Sequence, residues 1–234
     1  MCDRRQRCRV WMAFVVSVLM FSATAHAGGV SLGATRVIYP ASNSQATLKV
    51  KNNSEKYEYL VQSWIENSAD QKTEDFIITP PLFVIKAKRT NSLRIIYAGQ
   101  KPLPEDRESL YWVNVKAIPP ATENTDGRSR LQLAVLSRIK FFYRPANLPT
   151  KSVDAPGMLR FRIAGNTLNV NNPTPYYVTL VDLSVGGRKL ENTMAAPKQT
   201  TAIAIPGGAQ GTGVKFKTVD DYGATTAEKK GITQ

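Results

Sequence analysis

The sequence predicts an all-β protein made of two immunoglobulin-like sandwich domains. Three observations carry the prediction. The apolar runs are short and rich in β-branched and aromatic residues. Asn, Gly, Pro and Ser interrupt them roughly every 8–15 residues. None of the runs repeats at helical spacing.

The first residues stand apart. Arg4, Arg5, Arg7 and Arg9 lead into an apolar run from Val10 to Phe21, and Ala25-His26-Ala27 closes it with a small-x-small cleavage pattern. Residues 1–27 are read as a secretory signal peptide, its apolar part too short for a membrane span, and Gly28 as the mature start. Cys2, Cys8 and His26 leave with it, and the sequence has no other Cys or His. The exported chain then has no thiolate, no Ser-His-Asp or Cys-His nucleophile, no ordinary zinc site and no disulfide, so packed cores must supply its stability. Removing Asp3 and the four arginines from 18 Asp+Glu and 31 Lys+Arg leaves a formal +10. That charge suggests an acidic partner or surface, or a merely solvated basic one. No basic stripe interleaved with stacking aromatics speaks for nucleic acid.

The first domain is read as residues 28–148, with seven strands: Thr35–Tyr39, Ala46–Lys51, Tyr57–Ile65, Leu82–Ile85, Ser92–Tyr97, Leu110–Ile118 and Leu131–Tyr143. Thr47-Leu-Lys-Val-Lys51 alternates cleanly, one face inward and one to water. Trp64 and Trp112 are assigned to the core. Pro145-Ala-Asn-Leu-Pro149 then breaks the pattern, because proline removes ladder donors and fixes φ; it reads as a stiff linker. Beyond it Leu159–Ile163, Thr167–Asn171, Tyr176–Leu183, Thr201–Ile205 and Val214–Val219 make a second, smaller domain, residues 149–234.

Three strings look enzyme-like. Ser137-x-x-Lys140 matches the nucleophile motif of penicillin-binding enzymes, but that motif works on a helix. In a strand an odd separation sends the two side chains to opposite faces, and the Ser-Asp-Asn and Lys-Thr-Gly companions are missing. The stretch Gly207–Gly213 is glycine-rich like a phosphate loop, yet Val214 stands where a lysine is required; a hairpin loop is the better reading. Asp220-Asp221 reads as a solvated turn. No cofactor or metal is called for.

Lys140 is the odd residue of "RIKFFYRP", Arg138–Pro145. An ammonium in so apolar a run either snorkels to water or meets an anion.

A longer string is more specific. "LPEDRESLYWVNVKAIPP" at Leu103–Pro120, with "RIKFFYRP", "NNPTPYYVTL" at Asn171–Leu180 and "DDYG" at Asp220–Gly223, resembles the signature of the periplasmic pilus-assembly chaperones, in order across both domains. The resemblance implies two immunoglobulin-like domains set as an L or boomerang around a cleft. It implies a periplasmic, non-enzymatic chaperone for fimbrial subunits that hands them to an outer-membrane usher, with self-capping as a homo-oligomer left open. The segment Ala121–Arg130 is short and lacks cysteine, which resembles the short-loop branch of the family.

The family's mode of action is strand lending to a subunit that lacks its last strand. The donor strand is then 130–143, with Leu131, Leu133 and Val135 alternating toward the subunit's groove; from periodicity alone they could equally face this protein's own core. Arg36 and Lys140 match the pair that anchors the subunit's C-terminal carboxylate. Glu108, Arg144 and Asp221 match an interdomain charge cluster. Parity is a difficulty, because the donor residues are odd-numbered and Lys140 is even. Either the two roles use different faces, or a bulge near Ser137–Arg138 shifts the phase. The reading from another class, a pilin-like or adhesive subunit, should have one domain and a longer apolar N-terminal extension than Gly28–Gly33.

Overall fold

The computed structural model describes residues 29–121, 131–208 and 211–233. The signal peptide, the start at Gly28 and nearly all of the 121–130 connection lie outside the described residues, as does part of the glycine loop.

In the first domain the described residues form β1 (Val30–Leu32), β2 (Arg36–Pro40), β3 (Ala46–Asn52), β4 (Tyr59–Asn67), β5 (Phe76–Thr79), β6 (Leu82–Ile85), β7 (Thr90–Tyr97), β8 (Ser109–Ile118) and β9 (Val135–Arg144). A sheet in the order β1-β3-β7-β5 packs on one in the order β2-β9-β8-β4-β6. Along β3 buried and exposed residues alternate without a break, so Leu48 and Val50 enter the core and Thr47, Lys49 and Lys51 face water. An aromatic group closes one end of this core, where the ring of Phe76 lies 4.7 Å from Phe141 and 4.8 Å from Tyr111, both edge-on.

Besides β5, which is not among the seven expected strands, three sequence expectations for this domain differ from the structure. First, β1 is an additional strand, because the chain switches sheets at Gly33-Ala34-Thr35: β1 pairs with β3, whereas β2 pairs with β9. Gly33 permits the crossing, since a Cβ there would come within 3.0 Å of the Lys49 Cβ. Second, Trp64 and Trp112 are not core residues. Their neighbours Ile65, Tyr111 and Val113 point inward, which turns both indoles to the outer face. There the Arg138 guanidinium lies 4.3 Å from the Trp112 ring and the Trp64 Nε1–H donates to Glu66 at 2.8 Å. Third, β9 starts at Val135 rather than Leu131. Its pairing with β8 ends at Val135 opposite Ala117, and beyond Ile118 the chain runs on into Pro119-Pro120, so residues 131–134 have no ladder to join there.

The second domain contains a short helix α1 (Ala155–Met158) and strands β10 (Arg160–Ala164), β11 (Thr167–Asn172), β12 (Val178–Val185), β13 (Arg188–Lys189), β14 (Thr193–Ala195), β15 (Gln199–Ala204), β16 (Val214–Val219), β17 (Lys229–Lys230) and β18 (Ile232–Thr233). One sheet runs β15-β11-β10-β18 and the other β13-β12-β16-β17, with β14 also on β12. Its own core includes Phe161, Leu168, Leu180, Leu183 and Phe216.

Candidate functional site

β9 is a strand with two different halves. On one side β8 pairs with all of it but Arg144, from Ser109 opposite Tyr143 to Ala117 opposite Val135, in unbroken register. On the other side β2 covers only Lys140 to Arg144. The sheet switch at Gly33–Thr35 takes the preceding residues away, so among the described residues the β9 edge from Val135 to Ile139 is open. Leu131, Leu133 and Val135 are 84%, 68% and 60% exposed, and none of them enters this protein's own core. The unbroken register contains no bulge, so Val135 and Lys140 sit on opposite faces of β9: Ile139, Phe141 and Tyr143 pack toward the core, while Lys140 and Phe142 face the second domain.

Arg36 and Lys140 are direct partners across the β2–β9 ladder. Their side chains converge on one hydroxyl of the second domain, Thr179 Oγ1, which accepts from Lys140 Nζ at 3.0 Å and from Arg36 Nη2 at 3.5 Å. Arg36 Nη1 also donates to the Val219 carbonyl at 3.1 Å, while its Nε–H is buried and unpartnered. Among the described residues no carboxylate lies within ion-pair distance of either cation. Burial, and then the neighbouring Arg36, push the Lys140 ammonium down to about 8; burial also lowers Arg36, against the pull of Asp221, Asp220 and Glu108. Two desolvated cations side by side make a site short of an anion.

Arg144 joins the domains nearby. Its Nε donates to Glu108 Oε1 at 2.7 Å, its two terminal nitrogens bind Asp221 at 2.7 and 2.8 Å, and its guanidinium lies 5.0 Å from the Tyr176 ring. Glu108 Oε2 accepts from the Tyr177 N–H at 2.8 Å, and Ser152 Oγ donates to Asp221 at 2.8 Å. Glu108 is only 3% exposed and Asp221 is half-buried in its pair with Arg144, so Asp220-Asp221 is not the solvated turn that the sequence suggests. Burial raises the Glu108 carboxyl, incompletely offset by Arg144. Burial opposes the Asp221 charge as well, but the hydrogen bonds from Arg144 and Ser152 and the Arg144 charge hold that carboxyl below its ordinary range. An interdomain cavity of about 310 Å³ borders Arg36, Phe142, Tyr177 and Asp221.

The structure thus brings Arg36 to Lys140 and Glu108 to Arg144 and Asp221, with Leu131, Leu133 and Val135 leading away along the open edge. Sequence reasoning missed Thr179, Ser152 and the Val219 carbonyl. A lone hydroxyl or main-chain oxygen carries no motif of its own; only the "NNPTPYYVTL" string placed Thr179 near anything of interest.

Comparison with known proteins follows this geometry. Residues 29–149 match the pili and flagellar-assembly chaperone, PapD N-terminal domain, and residues 154–230 the pili assembly chaperone PapD, C-terminal domain. The probable fimbrial chaperone SfmC of Escherichia coli (strain K12) is 52% identical over 217 residues, 92% of this chain and 94% of the relative. The crystal structure of the periplasmic chaperone SfaE superposes with a TM-score of 0.77 at 48% identity, covering 88% of this chain and 100% of the other. The SafB chaperone of Salmonella enterica, solved in complex with the SafA pilin, gives a TM-score of 0.79 at 34% identity, over 88% of this chain and 96% of the other.

Proposed function

This chain belongs to the pili and flagellar-assembly chaperone family, and from that premise we propose that it is a periplasmic chaperone that binds, folds and caps fimbrial subunits by lending them β9, then delivers them to an outer-membrane usher. The observation that carries the reading is the open β9 edge, with Leu131, Leu133 and Val135 exposed beside it and the Arg36–Lys140 pair at its far end. A subunit missing one strand exposes an apolar groove and an unpaired edge, both of which aggregate. The lent strand supplies ladder hydrogen bonds, and each apolar side chain it buries is worth roughly 1.5–3 kcal/mol. The cation pair takes the subunit's terminal carboxylate, which every subunit has, and so sets the register before the strand zips. The Glu108–Arg144–Asp221 cluster holds the two domains at the angle the cleft needs. Without a subunit, the same exposed stretch suits capping by a second copy. A pilin-like role fits less well, because the chain has two complete sandwiches.

The test is co-expression with a fimbrial subunit encoded beside this chain, followed by co-purification from the periplasm. Complexes that form with the wild type and vanish with Leu133→Glu are expected. Equal recovery with both would overturn the reading.

A further inference from the structure

We propose, resting on the strand-lending function above, that Arg138 is a positioning residue for it. Bound across β8 by Glu66 and Asp70, Arg138 keeps the open half of β9 extended and ordered before a subunit arrives.

That half of the strand needs such a hold. From Val135 to Ile139, β9 has β8 as its one ladder neighbour among the described residues, whereas Lys140 to Tyr143 lie between β8 and β2. A strand bonded on one side opens more readily than one bonded on both, and every residue left mobile must be ordered when a partner binds.

Arg138 lies within the open half, opposite Asn114 of β8. Two residues along β8 from Asn114, on the same outer face, Trp112 stands opposite Glu66 of β4. The Arg138 guanidinium leans over that row, its centre 4.3 Å from the Trp112 ring, and reaches Glu66 Oε2 at 3.3 Å and the Asp70 carboxylate. One side chain thus ties β9 to the second strand beyond it. Both carboxylates are themselves held. Glu66 accepts from the Trp64 Nε1–H at 2.8 Å. Asp70, at φ +60, sits in a turn that Asn67 closes, its Oδ1 accepting from the Ala69 and Gln71 N–H groups at 2.9 and 3.0 Å. The planar fork of Arg138 therefore meets a fixed target.

Parity keeps this hold clear of the subunit. Arg138 shares the face of Lys140, opposite Val135, so it grips the strand from behind the donor side chains and leaves the open backbone edge free. Ion pairs near a surface add little to global stability, so what this one supplies is local order.

The experiment has two arms on the whole chain: amide hydrogen exchange of the free protein by NMR, and stopped-flow capture of the fimbrial subunit encoded beside this chain, diluted from urea. In Arg138→Met the β8-bonded amides of Val135–Ile139 are expected to exchange fivefold faster or more, with those of Phe141–Tyr143 unchanged. Subunit association should slow threefold or more while dissociation keeps its rate, because the subunit itself holds the strand once bound. Asp70→Asn, which is not on β9, should give a smaller change of the same kind. Arg138→Lys keeps the charge without the fork and should recover part of the loss. Faster exchange throughout the first domain would make Arg138 a fold-stabilising residue, and faster dissociation with unchanged exchange would make it a direct subunit contact; either result overturns the proposal. Unchanged exchange and association would overturn it as well. A wild type that captures no subunit would overturn the lending function and this use of Arg138 with it. Exchange, measured on the free chain, separates that failure from a failure of Arg138 to order β9.

Discussion

Arg36 and Lys140 stand directly opposite each other across a parallel ladder, and both reach for the hydroxyl of Thr179. Like charges in a partly desolvated cleft cost stability in the free protein and gain it back when an anion arrives. Lys140 therefore links pH to folding and to binding in opposite directions. Between about 8 and its ordinary 10.5 the unfolded chain holds the proton and the folded chain does not, so stability should rise with pH across that window. Binding of a terminal carboxylate needs the charged ammonium, so affinity should be full below pH 8 and fall above it. Urea unfolding and peptide titration at pH 7, 9 and 10 check both slopes. Lys140→Met should flatten both, and at pH 7 should raise Tm while weakening binding by 10-fold or more, the loss of one charge-assisted contact. Parallel slopes would rule out Lys140 as the common cause.

The donor segment should show period-two sensitivity without any effect on folding. Leu133 is exposed, whereas Gln132 donates to the Pro119 carbonyl at 2.7 Å. Leu133→Glu is expected to abolish subunit complexes and to move stability by less than about 0.5 kcal/mol, as surface changes do. Gln132→Glu should keep most complex formation. Pull-down yields beside melting curves measure both, and equal yields would remove the strand signature.

Arg144→Met should strand the buried Glu108 and release Asp221. Breaking a buried pair by removing one partner costs about 3–5 kcal/mol, and the cost here falls on the joint between domains. Small-angle scattering should report a changed envelope along with a lowered Tm. Asp221, held below its ordinary 3.8, contributes stability that is present above that value and lost as pH falls below it. In the variant the Arg144 contribution that lowers the Asp221 carboxyl is gone, so this acid-dependent loss should shrink. An unchanged envelope with a lowered Tm would show that the cluster stabilises a domain and does not orient the pair.

Gly223→Ala tests the same joint from the other side. Gly223 has φ +87, and a Cβ there would sit 2.1 Å from Thr35 Oγ1, the residue before Arg36. The strained φ, together with the crowded Thr35 hydroxyl, is expected to push the turn away from the first domain and Asp221 with it. Weaker carboxylate binding with intact domain cores is expected, read by peptide titration and by near-ultraviolet circular dichroism. Unchanged binding would mean that the turn's position does not matter to the cleft.

The strands that alternate or run apolar, such as Ala46–Lys51, and the proline-bounded break at 145–149 are legible along the chain, whereas Arg36, Lys140, Glu108, Arg144 and Asp221 are singled out only through the resemblance to the pilus-assembly chaperones. Those signals are local: alternation, turn chemistry and motif spacing are properties of one segment. Where a segment does not alternate as cleanly as β3, its neighbours in the fold set which face it turns to the core. Leu131–Val135 has a perfect donor period, yet residues 131–134 lie beyond the end of the β8 pairing, and Val135 lies where β2 does not flank β9, because the chain changed sheets at Gly33. Trp64 and Trp112 look like core residues by size but lie on the outer face, because their neighbours' register turned them there. Thr179 had no signal, since a hydroxyl gains its meaning from the cations that a distant domain brings to it. Side-chain pattern is written along the chain, whereas ladder edges, sheet faces and hydrogen-bond partners come from strands that only folding makes neighbours.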